Sequence, residues 1–291
     1  MSRAATRPVI RLLQASLVLV VAGLYAGTAL AQGTLERIKE TDRIGVAVAN
    51  ERPYGYITEA GELSGESPTI AREILRRIDP GIEMQGISMD WGNLIPRLND
   101  GDVDVVAAGM FITPARCEQV AFSNPTYVVG ESFLVRAGNP LDLESYEDIS
   151  RNPEARVGLV AGTVEYNYAT NSGIRASQAP LYRDFRRAVD ALVEGEVDAV
   201  GLTSLTARSL ARSTEAADLE ATPQFYPVID GEEIKGYGAF AFRKEDEALV
   251  AAFNRHLDDF IGSEAHWDAV EEFGFAPDMM PDKTAAELCA G

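Results

Sequence analysis

Few residues of this 291-residue chain have both the type and the spacing to do chemistry. Arg116 ends the run Thr113-Pro114-Ala115-Arg116, where a guanidinium offers a rigid fork of N–H donors that can grip a carboxylate bidentately and stays charged at every relevant pH. Glu51 and Tyr54 bracket Glu51-Arg52-Pro53-Tyr54, Trp91 follows Met89-Asp90, and Phe111 lies just before the Arg116 loop. Three aromatic faces with one carboxylate suit a bulky, delocalised cation: each ring attracts it by about 0.5 to 2 kcal/mol, and Glu51 accepts its N–H groups. The competing uses are a surface salt bridge for Arg116 and core packing for each ring. Cys117 and Cys289 are the two cysteines; in an oxidising compartment such a pair is usually a disulfide, here closing a loop of 172 residues. Two buried free thiols are the alternative, because sequence gives no Cα separation. Two Cys with His256 and His266 do not make zinc-motif spacing, so neither a metal nor a cofactor is expected.

Composition limits the frame that can hold these groups. The chain is 46% hydrophobic and 24% charged, which suits a globular protein of up to two domains. Its 26 Lys and Arg stand against 45 Asp and Glu, a net charge of −19 that would repel a phosphate backbone, so nucleic-acid binding is not expected. Arg3, Arg7 and Arg11 precede an apolar stretch from Leu12 to Leu24, and Ala29-Leu30-Ala31 fits signal-peptidase cleavage before Gln32. That reads residues 1–31 as a signal peptide and the mature chain as periplasmic. A retained anchor would need a span of about 20 apolar residues, longer than this one. Losing three Arg leaves 23 basic residues against 45 acidic ones, a mature charge of −22.

The rest of the chain alternates strands and helices twice. Arg43–Val48 reads as a strand, Ile70, Ile74, Leu75 and Ile78 mark one face of a helix after Ser67-Pro68, and Val103–Ala108 is a buried strand after Gly101-Asp102. Val157–Val160, a helix from Glu165, another from Phe185 to Val193 and a strand from Gly195 to Leu202 repeat the pattern. Leu98-Asn99-Asp100-Gly101-Asp102-Val103-Asp104 parallels Leu192-Val193-Glu194-Gly195-Glu196-Val197-Asp198: helix end, glycine cap, strand. Phe133–Arg136 and Gly238–Arg243 are candidate connecting strands, and a helix from Glu245 to Ile261 follows the second. Two α/β units joined twice, exported and without a nucleophile motif, describe a clam shell that closes on a ligand.

Met110-Phe111-Ile112-Thr113-Pro114-Ala115-Arg116 and Phe122-Ser123-Asn124-Pro125-Thr126-Tyr127 resemble the signature of the periplasmic solute-binding proteins of ABC importers, polar amino-acid type. Gly61-Glu62-Leu63-Ser64-Gly65 and Ala161-Gly162-Thr163 are similar to two further motifs of that family. The resemblance implies an α/β, type II two-lobed periplasmic-binding-protein fold with two connecting strands as hinge. Lobe 1 is then 32–132 plus 241–291 and lobe 2 is 133–240. It also implies a monomer that delivers a small ligand to membrane permease subunits, and no enzyme. In the α-amino-acid binders of the family an Asp five residues after the strand Asp pairs with the ligand ammonium; here that position is Thr203, which disfavours a standard amino acid.

The aromatic set is similar to that of the family's ectoine/hydroxyectoine-binding members, whose ligand is a cyclic zwitterion with a delocalised amidinium and one carboxylate. By that resemblance Glu51 takes the ring N–H groups, and Tyr54, Trp91 and Phe111 form the box. Arg116 grips the carboxylate, and Gly162 and Thr163 close from the second lobe, where a helix start offers N–H groups and a hydroxyl. Cleft and surface stay equally open for Tyr127, Tyr166 and Tyr168, and Thr203 is a weaker candidate. A polar amino acid or a betaine is the alternative ligand. A periplasmic cyclic-carboxylate dehydratase of the same fold is the alternative from another class, with Glu51 as its acid/base.

Overall fold

Hydrophobic patterning in Thr34–Gly291 produces two α/β sheets whose strands come from interleaved parts of the chain. The structure is a computed structural model that describes residues 33–213 and 218–291. The expected signal peptide and its cleavage after Ala31 lie outside the described residues.

In the first sheet Arg43–Val48 lies between Glu83–Ser88 and Val105–Phe111, parallel to both. The strand Gly236–Phe242 then pairs antiparallel with Val105–Phe111, and also with Ala121–Phe122 and Tyr127–Val129. In the second sheet Val157–Val160 lies between Leu181–Tyr182 and Ala199–Thr203, again parallel. Glu131–Arg136 runs antiparallel to Ala199–Thr203, and Leu219–Ala221 is antiparallel to Glu131–Arg136 at the edge. The chain therefore crosses from first sheet to second at Gly130 and returns between Ala221 and Gly236. At the outward crossing Glu131 and Phe225 exchange two backbone hydrogen bonds of 2.8 and 2.9 Å, so the two connections run side by side. The strands expected to connect the units begin at these crossings and each completes a sheet.

Each central strand starts later than its valine content suggests, for the same physical reason in both sheets. The residues before it turn an Asp back onto the neighbouring strand: Gly45 N–H donates to Asp104 at 2.9 Å, and Arg156 N–H donates to Asp198 at 2.8 Å. The strands proper are Val105–Phe111 and Ala199–Thr203, buried along their whole lengths. Helix Glu66–Ile78 buries Ile70, Ile74 and Leu75 as its spacing requires, and helix Glu247–Phe260 packs against it with Leu249, Phe253, Leu257 and Phe260. The long C-terminal helix thus returns to the first sheet.

The last helix, Ala285–Ala290, is held by a capping box between Thr284 and Glu287 and docks on the short helix Pro114–Cys117. Cys117 and Cys289 are bridged there, with Cα atoms 5.7 Å apart, one residue from Arg116. Cross-linking residues 172 apart removes unfolded-chain entropy, for a gain of about 2 to 4 kcal/mol. The double variant Cys117→Ser, Cys289→Ser is expected to lose that amount in a urea titration; an unchanged midpoint at unchanged slope would show that the tail contributes nothing to stability.

Candidate functional site

Parallel strands direct their carboxyl ends, and the loops that follow them, to one edge of a sheet, where ligands of open α/β folds bind. Here the loops at those edges of the two sheets meet. Glu51 and Tyr54 follow Arg43–Val48, Trp91 follows Glu83–Ser88, Phe111 ends Val105–Phe111 and Arg116 follows it, and Thr163 follows Val157–Val160. These six line one pocket, together with Gly109, Val164, Glu165, Phe185 and Thr203.

Local structure fixes each of them. Thr113 caps helix Pro114–Cys117 by accepting Arg116 N–H at 3.3 Å, which sets the direction in which the arginine leaves the backbone. Its guanidinium is buried, donating to Phe111 O at 2.8 Å and to Gly162 O at 3.1 Å, and stands 5.8 Å from the Trp91 ring centroid. Trp91 Nε1–H donates to the same Gly162 carbonyl at 3.1 Å. Gly162 has φ +89, and a Cβ there would stand 2.9 Å from Gly92 Cα, so the two loops approach as closely as glycine permits. Gly109 plays a similar part inside its strand: with φ +65 it leaves room for the Tyr54 ring, which a Cβ would meet at 2.6 Å. Tyr54 stacks on Tyr127 with centroids 5.2 Å apart and is fixed edge-on by Phe275.

A chain of hydroxyls closes the opposite side. Tyr54 donates to Thr203 at 2.9 Å, Thr203 to Thr206 at 3.1 Å, and Thr206 to Glu51 Oε1 at 2.7 Å. Tyr54 and Glu51 belong to loops of the first sheet and both threonines to the second, so these bonds, with the two to Gly162, hold the lobes closed. Burial raises the Glu51 pKa to about 8; the Thr206 hydrogen bond opposes this, Glu165 adds to it and Arg116 opposes it. Burial likewise raises Glu165 and Glu131, and lowers the Arg116 guanidinium from its usual value. The pocket thus sets two buried carboxyl groups, Glu51 and Glu165, against one buried arginine, with Glu131 buried close enough to act on both.

The tyrosines left open by sequence divide among three surroundings. Tyr127 is core, behind Tyr54, donating to Gly109 O at 2.9 Å; Tyr166 is exposed; Tyr168 is buried behind the pocket, 6.2 Å from Tyr146 between centroids. Thr203 lines the pocket, whereas Gly162 contributes its carbonyl to Arg116 and Trp91. Sequence reasoning missed Glu165 and Phe185 as lining residues. An acid in a helix's first turn reads as a dipole partner, and an apolar residue just after the Asp184 cap reads as core. The signal available for Glu165 was its spacing of three after Gly162 at the mouth of a helix.

Two α/β sheets that close an aromatic, charged pocket between facing loops define a ligand-capturing binding protein. The chain belongs to the bacterial extracellular solute-binding proteins, family 3, whose profile matches residues 44–272; its fold is the two-lobed type II architecture of that family. It is 34% identical over 261 residues to the probable amino-acid ABC transporter periplasmic-binding protein y4tE of Sinorhizobium fredii, covering 88% of this chain and 86% of that one. It is 28% identical over 221 residues to a probable histidine-binding protein of Campylobacter jejuni, covering 75% and 79%. Among solved structures, EhuB in complex with hydroxyectoine superposes with a TM-score of 0.80 at 32% identity, covering 89% of this chain and 98% of that one.

The raised carboxyl pKa values have a consequence for stability. With Glu51 moved from 4.5 to about 8, the folded protein keeps a proton that the unfolded chain releases, so this stabilisation is present below pH 4.5 and lost as pH rises through about 8. Glu66, buried beside Ser67 and Thr126 and raised to about 7, acts in the same direction. Glu51→Gln is therefore expected to flatten the fall in ligand-free stability between pH 5 and pH 8, by an amount on the order of a few kcal/mol. Urea midpoints at both pH values measure it; an unchanged slope would mean that Glu51 is solvated in the ligand-free protein.

Proposed function

We propose that this protein is the periplasmic solute-binding component of an ABC importer and captures ectoine or hydroxyectoine, cyclic zwitterionic compatible solutes, between its closing lobes. The observation that carries this reading is one pocket at which a buried arginine, three aromatic side chains and a buried carboxyl group converge. The similarity to EhuB, solved with hydroxyectoine, supports it.

In this reading Arg116 takes the ligand carboxylate, Glu51 accepts the ring N–H groups, and Tyr54, Trp91 and Phe111 face the delocalised amidinium. Gly162 and Thr163 contribute the second-lobe wall. The charge balance fits: the carboxylate meets Arg116 and the amidinium meets Glu51 in a desolvated space where each pairing is worth more than in water. The crossings at Gly130 and between Ala221 and Gly236 serve as the hinge, and the closed shape is what the membrane permease subunits receive. The mature monomer begins after the signal peptide is removed behind Ala31. The relatives named above are binding proteins, and the same pocket is read here as capturing its ligand unchanged rather than as a dehydratase site.

One observation favours a second ligand of the same kind of protein. Glu165 brings a carboxyl group to the pocket from the second lobe, so an amino-acid ammonium has a partner there although Thr203 stands where the amino-acid binders have Asp. Calorimetry separates the two. The mature protein is expected to bind ectoine and hydroxyectoine and to give no heat with a panel of amino acids; heat with an amino acid alone overturns the cage. Arg116→Ala is expected to abolish binding, and Trp91→Ala to weaken it by about 1 to 3 kcal/mol through lost stacking and buried area.

A further inference from the structure

Almost every polar side chain that lines the pocket has a partner within the protein. Tyr54 and Thr203 hold each other, Glu51 accepts from Thr206, Thr163 donates to Val160 O at 2.9 Å, and Trp91 and Arg116 donate to backbone carbonyls. Glu165 differs. It is buried and lines the pocket; the Thr163 hydroxyl and its own backbone N–H partly offset the effect of burial on its carboxyl group, yet its Oε2 has no hydrogen-bond partner. A buried carboxylate oxygen without a donor is costly and uncommon in folded proteins, which makes it a place where an arriving donor gains most.

Two further buried groups that act on it also lack partners. Among the described residues, Glu131 Oε2 and Tyr146 OH are also buried without partners, whereas the remaining such atom, on Asp246, stands 2.9 Å from Arg243 Nε in an ion pair. The partnerless atoms of the second lobe thus all belong to groups that interact with Glu165 through the interior. Neither Glu131 nor Tyr146 lines the pocket, so among these partnerless groups of the described residues Glu165 is the one that a ligand reaches.

Position decides which ligand group reaches it. Glu165 is three residues from Gly162, whose carbonyl Arg116 holds, and it is the carboxyl group that acts most strongly on Arg116. A ligand whose carboxylate sits on Arg116 therefore places the neighbouring part of its ring beside Glu165. In hydroxyectoine the hydroxyl is on the ring carbon next to the one that bears the carboxylate, on the side away from the amidinium carbon that Glu51 and the rings address. Ectoine has only C–H groups there.

We propose that Glu165 reads this hydroxyl: its free Oε2 accepts the ligand O–H and makes the protein selective for the hydroxylated over the unhydroxylated ring. The proposal rests on the reading of the ligand as a cyclic amidinium carboxylate and adds the residue that sets preference between its two forms. A charge-assisted hydrogen bond of this kind corresponds to about ten- to a hundredfold in affinity.

The test is a ratio taken within each protein. Calorimetric titration of the mature wild type with ectoine and with hydroxyectoine is expected to show hydroxyectoine bound at least about tenfold more tightly. In Glu165→Met, which keeps the length of the side chain and removes both acceptors, the ratio is expected to fall to near one. Glu165→Gln, isosteric and neutral, is expected to fall between, and it supplies the comparison should the Met variant fail to fold by circular dichroism. Equal affinities in the wild type, or a ratio that survives in a folded Glu165 variant, overturn the proposal while leaving the ligand class intact. Binding of neither solute overturns the ligand reading, and the proposal with it.

Discussion

The burial of Arg116 is the constraint on which the rest of the site depends. A guanidinium removed from water needs its donors satisfied, and here two backbone carbonyls take two of its five N–H groups, Phe111 O from its own lobe and Gly162 O from the other. The same bond that desolvates the arginine therefore joins the lobes. Trp91 shares the Gly162 carbonyl and covers the guanidinium, so any movement that opens the cleft exposes the arginine and frees the indole together. A ligand carboxylate that meets this guanidinium stabilises the closed shape in proportion to how much better it pairs there than water does.

The surplus of buried carboxyl groups follows from the same closure. Glu51, Glu131 and Glu165 are withdrawn from water, and burial is the main reason that their pKa values are raised; Arg116 offsets it only in part at Glu51 and Glu165. Protonation or an incoming donor must do the rest. A ligand with a single carboxylate and several N–H or O–H donors matches that balance. The net charge of −19 sums acids over the whole chain and does not describe the pocket.

Much of this was legible in sequence because strand ends and loops are close to their motifs. Arg116 follows a Pro-opened, Thr-capped turn, Glu51, Tyr54 and Trp91 follow parallel strands of one sheet and Phe111 ends the next parallel strand, so alternation of strands and helices was enough to bring them to one edge. The Cys117–Cys289 bridge could not be derived, since only the docking of helix Ala285–Ala290 brings those Cα atoms within reach. Glu165 was hidden because its position in a first helical turn satisfies a local rule that says nothing of its burial. The delayed starts of the two central strands were hidden too, because the bonds from Gly45 to Asp104 and from Arg156 to Asp198 cross between strands that sequence alone does not register.

The account is tested most directly by a crystal structure of the mature protein grown with ectoine. It predicts the ligand carboxylate within hydrogen-bond distance of the Arg116 guanidinium, the amidinium N–H groups on Glu51, and the ring held among Tyr54, Trp91 and Phe111. A ligand bound with its carboxylate away from Arg116, or outside the pocket between the two sheets, would contradict it.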